Sequence, residues 1–256
     1  MHRRREYALE ALERDLVAFE AVVQQAGDDL LGDARRSQVV RVGERVLKTF
    51  RERGLVPALR GAAGEGRARS AWWAARRLSV AEIPTPEALA LLERRDGSAV
   101  LVTRFEQGAI LRDRLAEPLS PLDRRGLARA AGWLFGRLAR EGLRHNDLAP
   151  KNLFVAPGEL PVPRDLRHTP RPGTPRVMLI DLDNLSTMKP FDRPALARML
   201  GQLADLPIEL SRTDRARFAA AFERAAGRAL PPDVVIEAQA FTTRRRARRE
   251  SLARRP

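Results

Sequence analysis

With 256 residues, 44% hydrophobic and 31% charged, the chain has room for a real core in one two-lobed domain or two small ones. It has no cysteine and only three histidines, His2, His145 and His168, which excludes disulfides and thiolate metal sites and argues against a His-rich zinc site. No apolar run approaches the ~20 residues of a membrane span, acidic residues interrupt the basic N-terminus where a signal peptide needs apolar sequence, and the net charge of +14 favours anionic partners; a cytosolic protein is expected.

Residues 6–25 read as an amphipathic helix, with Leu9, Leu12, Leu16, Phe19 and Val23 at helical spacing and Gly27 as the stop. Two β-rich runs, 38–42 and 45–50, flank Gly43-Glu44 and read as a hairpin with Lys48 in its second strand. Residues 66–78 have the composition of a helix, and Trp72, Trp73 and Trp133 are expected in the core. Pro84 and Pro86 start an extended stretch. A second hairpin is expected from 88–92 and 99–105, turned at Arg95-Asp96-Gly97. Residues 110–143 are helical in pattern, with Leu127, Ala130, Ala131, Leu134, Phe135 and Leu138 on the apolar face of 122–141. Two strand-like runs, 153–155 and 177–180, enclose a proline-rich stretch from Pro157 to Pro175, expected as an exposed insertion or long hairpin loop. After Pro194 the pattern is helical, and it ends in the basic run Arg244–Arg249. The plan is α+β: a small β-rich N-lobe (28–106) behind the N-terminal helix (1–27), a mostly helical C-lobe (107–243), and a solvated basic tail (244–256).

Two segments carry chemistry. One is His145-Asn146-Asp147-Leu148-Ala149-Pro150-Lys151-Asn152, directly followed by the apolar Leu153-Phe154-Val155. The other is Val177-Met178-Leu179-Ile180-Asp181-Leu182-Asp183-Asn184. Each sets acid and amide oxygens at the edge of a short apolar strand, where they need a partner. Such hard oxygens suit Mg²⁺, which takes one or two carboxylates together with substrate phosphates. Composition sharpens the point. Of 47 basic residues only three are lysines, Lys48, Lys151 and Lys189, and the other 44 are arginines. Where Arg is so favoured, a Lys marks a place that wants a compact ammonium. The three asparagines, Asn146, Asn152 and Asn184, all fall in these two segments.

The form H-x-D-x-x-x-x-N, followed downstream by an apolar strand ending in Asp, resembles the catalytic and metal-binding loops of protein kinases and of their sugar- and antibiotic-phosphorylating relatives. Together with RVLKTF, AWWAARRL, IPTPEALAL, HNDLAPKNLFV and LIDLDN in order, it looks most like the bacterial lipopolysaccharide kinases that act on Kdo and heptose, over Val39 to Phe222. The resemblance implies a two-lobed protein-kinase-like fold and an ATP- and Mg²⁺-dependent kinase whose acceptor is an anionic sugar or glycolipid. It implies that Lys48 holds the α/β-phosphates and that the backbone of Thr103, Arg104, Phe105 and Glu106 is the adenine hinge. Asp147 takes the proton of the attacking hydroxyl, Asn152 and Asp181 hold Mg²⁺ with Asp183 as a secondary ligand, and His145 braces the loop. Lys151 is a further cation near the γ-phosphate. No glycine-rich loop precedes Lys48, so Arg35, Arg36 or Ser37 are the candidates for phosphate cover, and Glu65 is the candidate partner of Lys48. The arginine-rich surface and tail imply peripheral contact with the anionic inner face of a membrane. Two alternatives stay open: a kinase of another small molecule or protein, and a pseudokinase that binds anionic surfaces or nucleic acid. Against nucleic acid, 5% aromatics and a single tyrosine leave no stacking platform.

Overall fold

The computed structural model describes residues 17, 37–50, 66–93, 98–165, 169–206 and 208–253. Val17 is helical, but the rest of the 6–25 helix, Arg35, Arg36, Glu65, the 95–97 turn and His168 lie outside the described residues. The chain divides into an N-terminal unit, Met1–Ala75 with Pro86–Glu106, and a C-terminal unit, Arg76–Thr85 with Gln107–Pro256.

The N-terminal unit is built on a four-stranded antiparallel sheet. Strands β1 (Ser37–Val42) and β2 (Arg45–Phe50) form the expected hairpin. Gly43 takes φ +56° in its two-residue turn, a value that costs glycine nothing. Strand β4 (Ala99–Arg104) pairs with β2, and β3 (Ala88–Glu93) pairs with β4, giving the order β1-β2-β4-β3. Period-2 alternation gathers Val40, Leu47, Val100 and Val102 into one buried cluster. The same alternation turns Lys48 to the other face, opposite Val39 and Leu101 in register.

Helix α1 (Arg67–Val80) begins in the N-terminal unit and ends in the C-terminal one. It buries Ala68, Ala71, Ala74, Ala75 and Leu78. Trp73 does not join them: it is 67% exposed. The ~100° helical step sets position 73 on the far side from 71, 74 and 78, which corrects its expected place in the core. Trp72 is half-buried, and Trp133 is buried as expected.

The C-terminal unit holds helices α2 (Leu111–Ala116), α3 (Pro121–Arg140), α4 (Arg193–Leu203), α5 (Arg212–Ala226) and α6 (Pro232–Ala253). Ser120 caps α3 by accepting from the Asp123 N–H, and a Ser211–Asp214 capping box starts α5. The two helices pack closely because Gly132 has no side chain: a Cβ there would lie 2.2 Å from the Phe218 carbonyl oxygen. The Phe135 ring fills the gap beside them, 5.9 and 5.4 Å from Phe218 and Phe222. In the second pair, Gly201 of α4 admits Phe241 of α6, and the Thr242 hydroxyl donates to the Gly201 carbonyl at 2.9 Å. Residues 244–253, expected as a loose basic tail, are the last turns of α6. Arginine is a good helix former, and the contacts around Thr242 hold the helix as it enters that run. Among the described residues no helix is long and apolar enough to cross a membrane.

Short strands complete the unit. Strands β5 (Ala109–Ile110), β7 (Leu153–Glu159) and β8 (Pro175–Leu179) form one sheet in the order β5-β7-β8. The proline-rich stretch is the long connection of the β7–β8 hairpin. Strand β6 (Leu143–His145) pairs with β9 (Leu185–Thr187). Segments of two or three residues carry no readable periodicity, so β5, β6 and β9 are absent from the sequence reading.

Candidate active site

The two chemistry-bearing segments are loops between the same two ribbons. One leads from β6 to β7, the other from β8 to β9, while β7 pairs with β8 and β6 with β9. The loops therefore run side by side. Backbone bonds stitch them at both ends: the Asn146 N–H donates to the Asn184 carbonyl at 2.8 Å, and the Ile180 N–H to the Asn152 carbonyl at 3.0 Å. Further support comes from 83–85, which lies along the end of β8. The Leu179 N–H donates to the Pro84 carbonyl, and the Thr85 hydroxyl to the Leu179 carbonyl, each at 2.9 Å.

His145 is fully buried and joins the loops from inside. Its Nδ1 accepts from the Asp147 N–H at 3.3 Å, which places the proton on Nε2, 3.1 Å from the Asp181 carbonyl oxygen. Burial holds its pKa below the usual histidine value despite the pull of that carbonyl, so the ring is neutral. This is a bracing arrangement.

Asp147 has two unlike oxygens. Oδ2 takes the Lys151 ammonium at 2.8 Å and the Asn152 Nδ2–H at 3.2 Å. Oδ1 accepts no hydrogen bond among the described residues and has the Arg245 guanidinium at 3.8 Å. The side chain is 28% exposed. Burial is the largest influence on its pKa and pushes it up. The hydrogen bond and charge of Lys151 and the charge of Arg245 more than offset this and hold the carboxyl below its ordinary value. Asp147 is thus ionised at neutral pH.

Asn152 is 6% exposed and sits at the end of a single 3₁₀ turn, Pro150–Asn152. Its Nδ2 also donates to the Asp147 carbonyl at 2.7 Å. With the amide nitrogen committed to Asp147, the amide oxygen is the atom left for a ligand. Asp181 has φ +61°, ψ +52°, a left-handed conformation uncommon outside glycine and tolerated by Asp. Asn184 Nδ2 donates to its Oδ2 at 2.9 Å. Asp183 lies in the following 3₁₀ turn, Leu182–Asn184, half-buried. All three candidate metal ligands are on the two stitched loops. Lys48 lies in the N-terminal sheet, half-buried, with Nζ 5.0 Å from the Phe50 ring centroid. Thr103 and Arg104 end β4, the Phe105 N–H donates to the Glu44 carbonyl at 2.9 Å, and Glu106 is the last residue of that unit.

Supporting residues outside the two motifs hold the loop. Gln202, 6% exposed at the end of α4, holds the loop backbone with both ends of its amide. Its Oε1 accepts from the Leu148 N–H at 2.9 Å, and its Nε2 donates to the Asn146 carbonyl at 2.7 Å. Its signal is faint but present: a polar residue at helical spacing from the buried Ala195 and Met199. Asp205, just past α4, faces Arg245 and Arg246 of α6 at 3.7 Å each. Arg245 also faces Asp147, and nothing local in the sequence ties it there.

The family model for the lipopolysaccharide kinases (Kdo/WaaP) matches residues 21–222. No curated protein sequence matches the chain. Among solved structures, WaaP in complex with acyl carrier protein superposes with a TM-score of 0.60 at 22% identity, covering 92% of each chain. The bifunctional kinase-methyltransferase WbdD gives 0.52 at 18% identity, over 86% of this chain and 49% of that one. The GDP complex of wild-type aminoglycoside 2'-phosphotransferase-IIIa gives 0.51 at 14% identity, over 87% and 85%. These likenesses are of fold, and the fold they share is the expected protein-kinase-like one.

Proposed function

The chain belongs to the lipopolysaccharide kinase (Kdo/WaaP) family and is a phosphotransferase, and from that premise we propose that it moves the γ-phosphoryl group of ATP, with Mg²⁺, to a hydroxyl on a lipopolysaccharide-type sugar or glycolipid. The observation that carries this is the asymmetry of Asp147: one oxygen is tied to Lys151 and Asn152, and the other accepts no hydrogen bond among the described residues.

Phosphoryl transfer asks little covalent help from a protein. It asks for an aligned nucleophile and neutralised phosphate charge. Asp147 Oδ1 orients the acceptor hydroxyl and receives its proton as the oxygen attacks the γ-phosphorus and the bond to the β-phosphate oxygen breaks, releasing ADP. General-base help of this kind contributes on the order of 10²–10⁴ in rate. Asn152 and Asp181, with Asp183 in support, would hold Mg²⁺, which neutralises the phosphates when bound. A donor set this small fits an ion that takes its remaining ligands from phosphates and water. By the resemblance, Lys48 holds the α/β-phosphates and residues 103–106 meet adenine. Lys151 keeps Asp147 ionised and brings its ammonium to the γ-phosphate. The +14 charge supports a peripheral position at the anionic inner membrane face; flotation with anionic but not neutral liposomes is the expected outcome.

The test is thermal unfolding with and without Mg·ATP, for the wild type and Asp181→Asn. A ligand that binds only the folded state raises its midpoint by mass action. Mg·ATP should raise the wild-type midpoint and leave the variant's unmoved. An equal response of both proteins removes Asp181 from the metal site, and no response from either removes ATP.

A further inference from the structure

Helix α6 brings a basic side chain to the catalytic loop from the side opposite Lys151. Arg245 Nε faces Asp205 Oδ2 at 3.7 Å, and one of its terminal nitrogens faces Asp147 Oδ1 at 3.8 Å. The anchor is well placed: Asp205 is 11% exposed and lies three residues after Gln202, which holds the same loop. Arg246 shares Asp205 through its other oxygen, at 3.7 Å. The Arg245 side chain is 31% exposed.

The distance to Asp147 matters. At 3.8 Å the two groups attract but do not hydrogen-bond. An arginine bonded directly to Oδ1 would block the oxygen that must receive the acceptor's proton. Instead Arg245 stands next to that oxygen with Nε turned to Asp205 and its terminal N–H groups left beside the approach to Oδ1. The Oδ2 side is already taken by Lys151 and Asn152. A group that hydrogen-bonds Oδ1 comes within reach of the guanidinium, and in the phosphotransfer reading that group is the acceptor hydroxyl. A planar guanidinium with two parallel N–H groups is matched to a carboxylate or phosphate.

Resting on the phosphotransfer reading above, we propose that Arg245 is a specificity-determining residue: it pairs with an anionic substituent, carboxylate or phosphate, carried on the acceptor close to the hydroxyl that is phosphorylated. Neutral sugars that offer the same hydroxyl are then poor acceptors because they lack the anion that pairs with the terminal N–H groups of Arg245.

The test crosses enzyme variants with acceptor variants. The probes are a heptose-containing lipopolysaccharide core oligosaccharide, the same oligosaccharide with its carboxylates reduced to alcohols, and the same with its phosphates removed. On the intact probe, Arg245→Ala should raise the acceptor KM roughly ten- to hundredfold, the worth of a charged hydrogen-bonded pair, and leave the ATP KM unchanged. Arg245→Lys should recover part of the loss. On whichever stripped probe lacks the recognised anion, the wild type should fall to the variant's level, and the substitution should cost nothing more. That arm also tells carboxylate from phosphate. An equal loss on all three probes makes Arg245 a support of the loop and overturns the proposal, as does a change confined to the ATP KM. A wild type that binds Mg·ATP yet phosphorylates none of the probes overturns the acceptor reading, and this inference with it.

Discussion

The N-terminal sheet and the paired loops of the C-terminal unit place their key side chains by different means. Lys48 is set by register alone: β2 lies between β1 and β4, and each residue's side is decided by alternation above a core of Val40, Leu47, Val100 and Val102. Asp147, Asn152 and Asp181 sit on irregular backbone, one of them left-handed, between short strands. Single polar contacts hold them there: His145 between the loops, Gln202 beneath one, Asn184 on Asp181. A regular sheet spreads its support over many weak contacts, so it fails by losing stability. A loop wired through a few strong bonds fails by losing geometry while the fold survives.

The largest expected effect is on the sheet side. Leu47 is fully buried at the centre of the cluster, and Leu47→Ala should cost about 2–5 kcal/mol of stability. Chemical denaturation checks it, and kcat measured well below the transition should be almost unchanged. Gln202→Leu is the converse. It keeps the size of the side chain but strips partners from the Leu148 N–H and the Asn146 carbonyl, at about 1–3 kcal/mol for the buried Leu148 N–H left unsatisfied. The sharper readout is turnover: a misplacement near 1 Å at the base costs on the order of 10² in rate. Gln202→Glu should not rescue it, since a carboxylate cannot donate to the Asn146 carbonyl. If Gln202→Leu melts early yet turns over normally, the loop holds itself and the contrast between the regions collapses.

The same contrast explains what the sequence made legible. The hairpin around Gly43 and the long helix α3 follow from periodicity and turn chemistry, which are local. The loop residues were legible for another reason: phosphoryl transfer needs certain groups at certain steps, and HNDLAPKN supplies them within eight positions. Their supports were not legible. Gln202 reaches its partners from more than fifty positions away, and Arg245 reaches Asp147 from nearly a hundred, across helix packing that no local pattern encodes. Arg245 stood in a run whose composition pointed to solvent, and the packing of α6 on α4, with Thr242 bonded to Gly201, brings it to Asp147. Trp73 errs the other way: a large apolar residue expected inside stands outside because of its angular position on α1.

The smallest expected effect tests the wiring of Asp147 itself. Burial raises its pKa, while the Lys151 hydrogen bond and the charges of Lys151 and Arg245 lower it further than burial raises it. Lys151→Met removes the strongest lowering influence and leaves burial in place, so the carboxyl must titrate at higher pH. A base has to be ionised to act, and the acid limb of kcat against pH should move upward in the variant. Stability obeys the matching sign. A depressed folded pKa contributes stability above the unfolded carboxylate value, and that contribution is lost as pH falls through the folded one; in Lys151→Met the contribution shrinks. His145 acts in a different range. Its folded pKa is lowered, so its part of the stability is complete above the ordinary histidine value of 6.5 and declines as pH drops below it, in wild type and variant alike. A Lys151→Met profile whose acid limb stays where the wild type has it would show that the ammonium does not control Asp147. The loop would then owe its ionised base to Arg245 on the other oxygen.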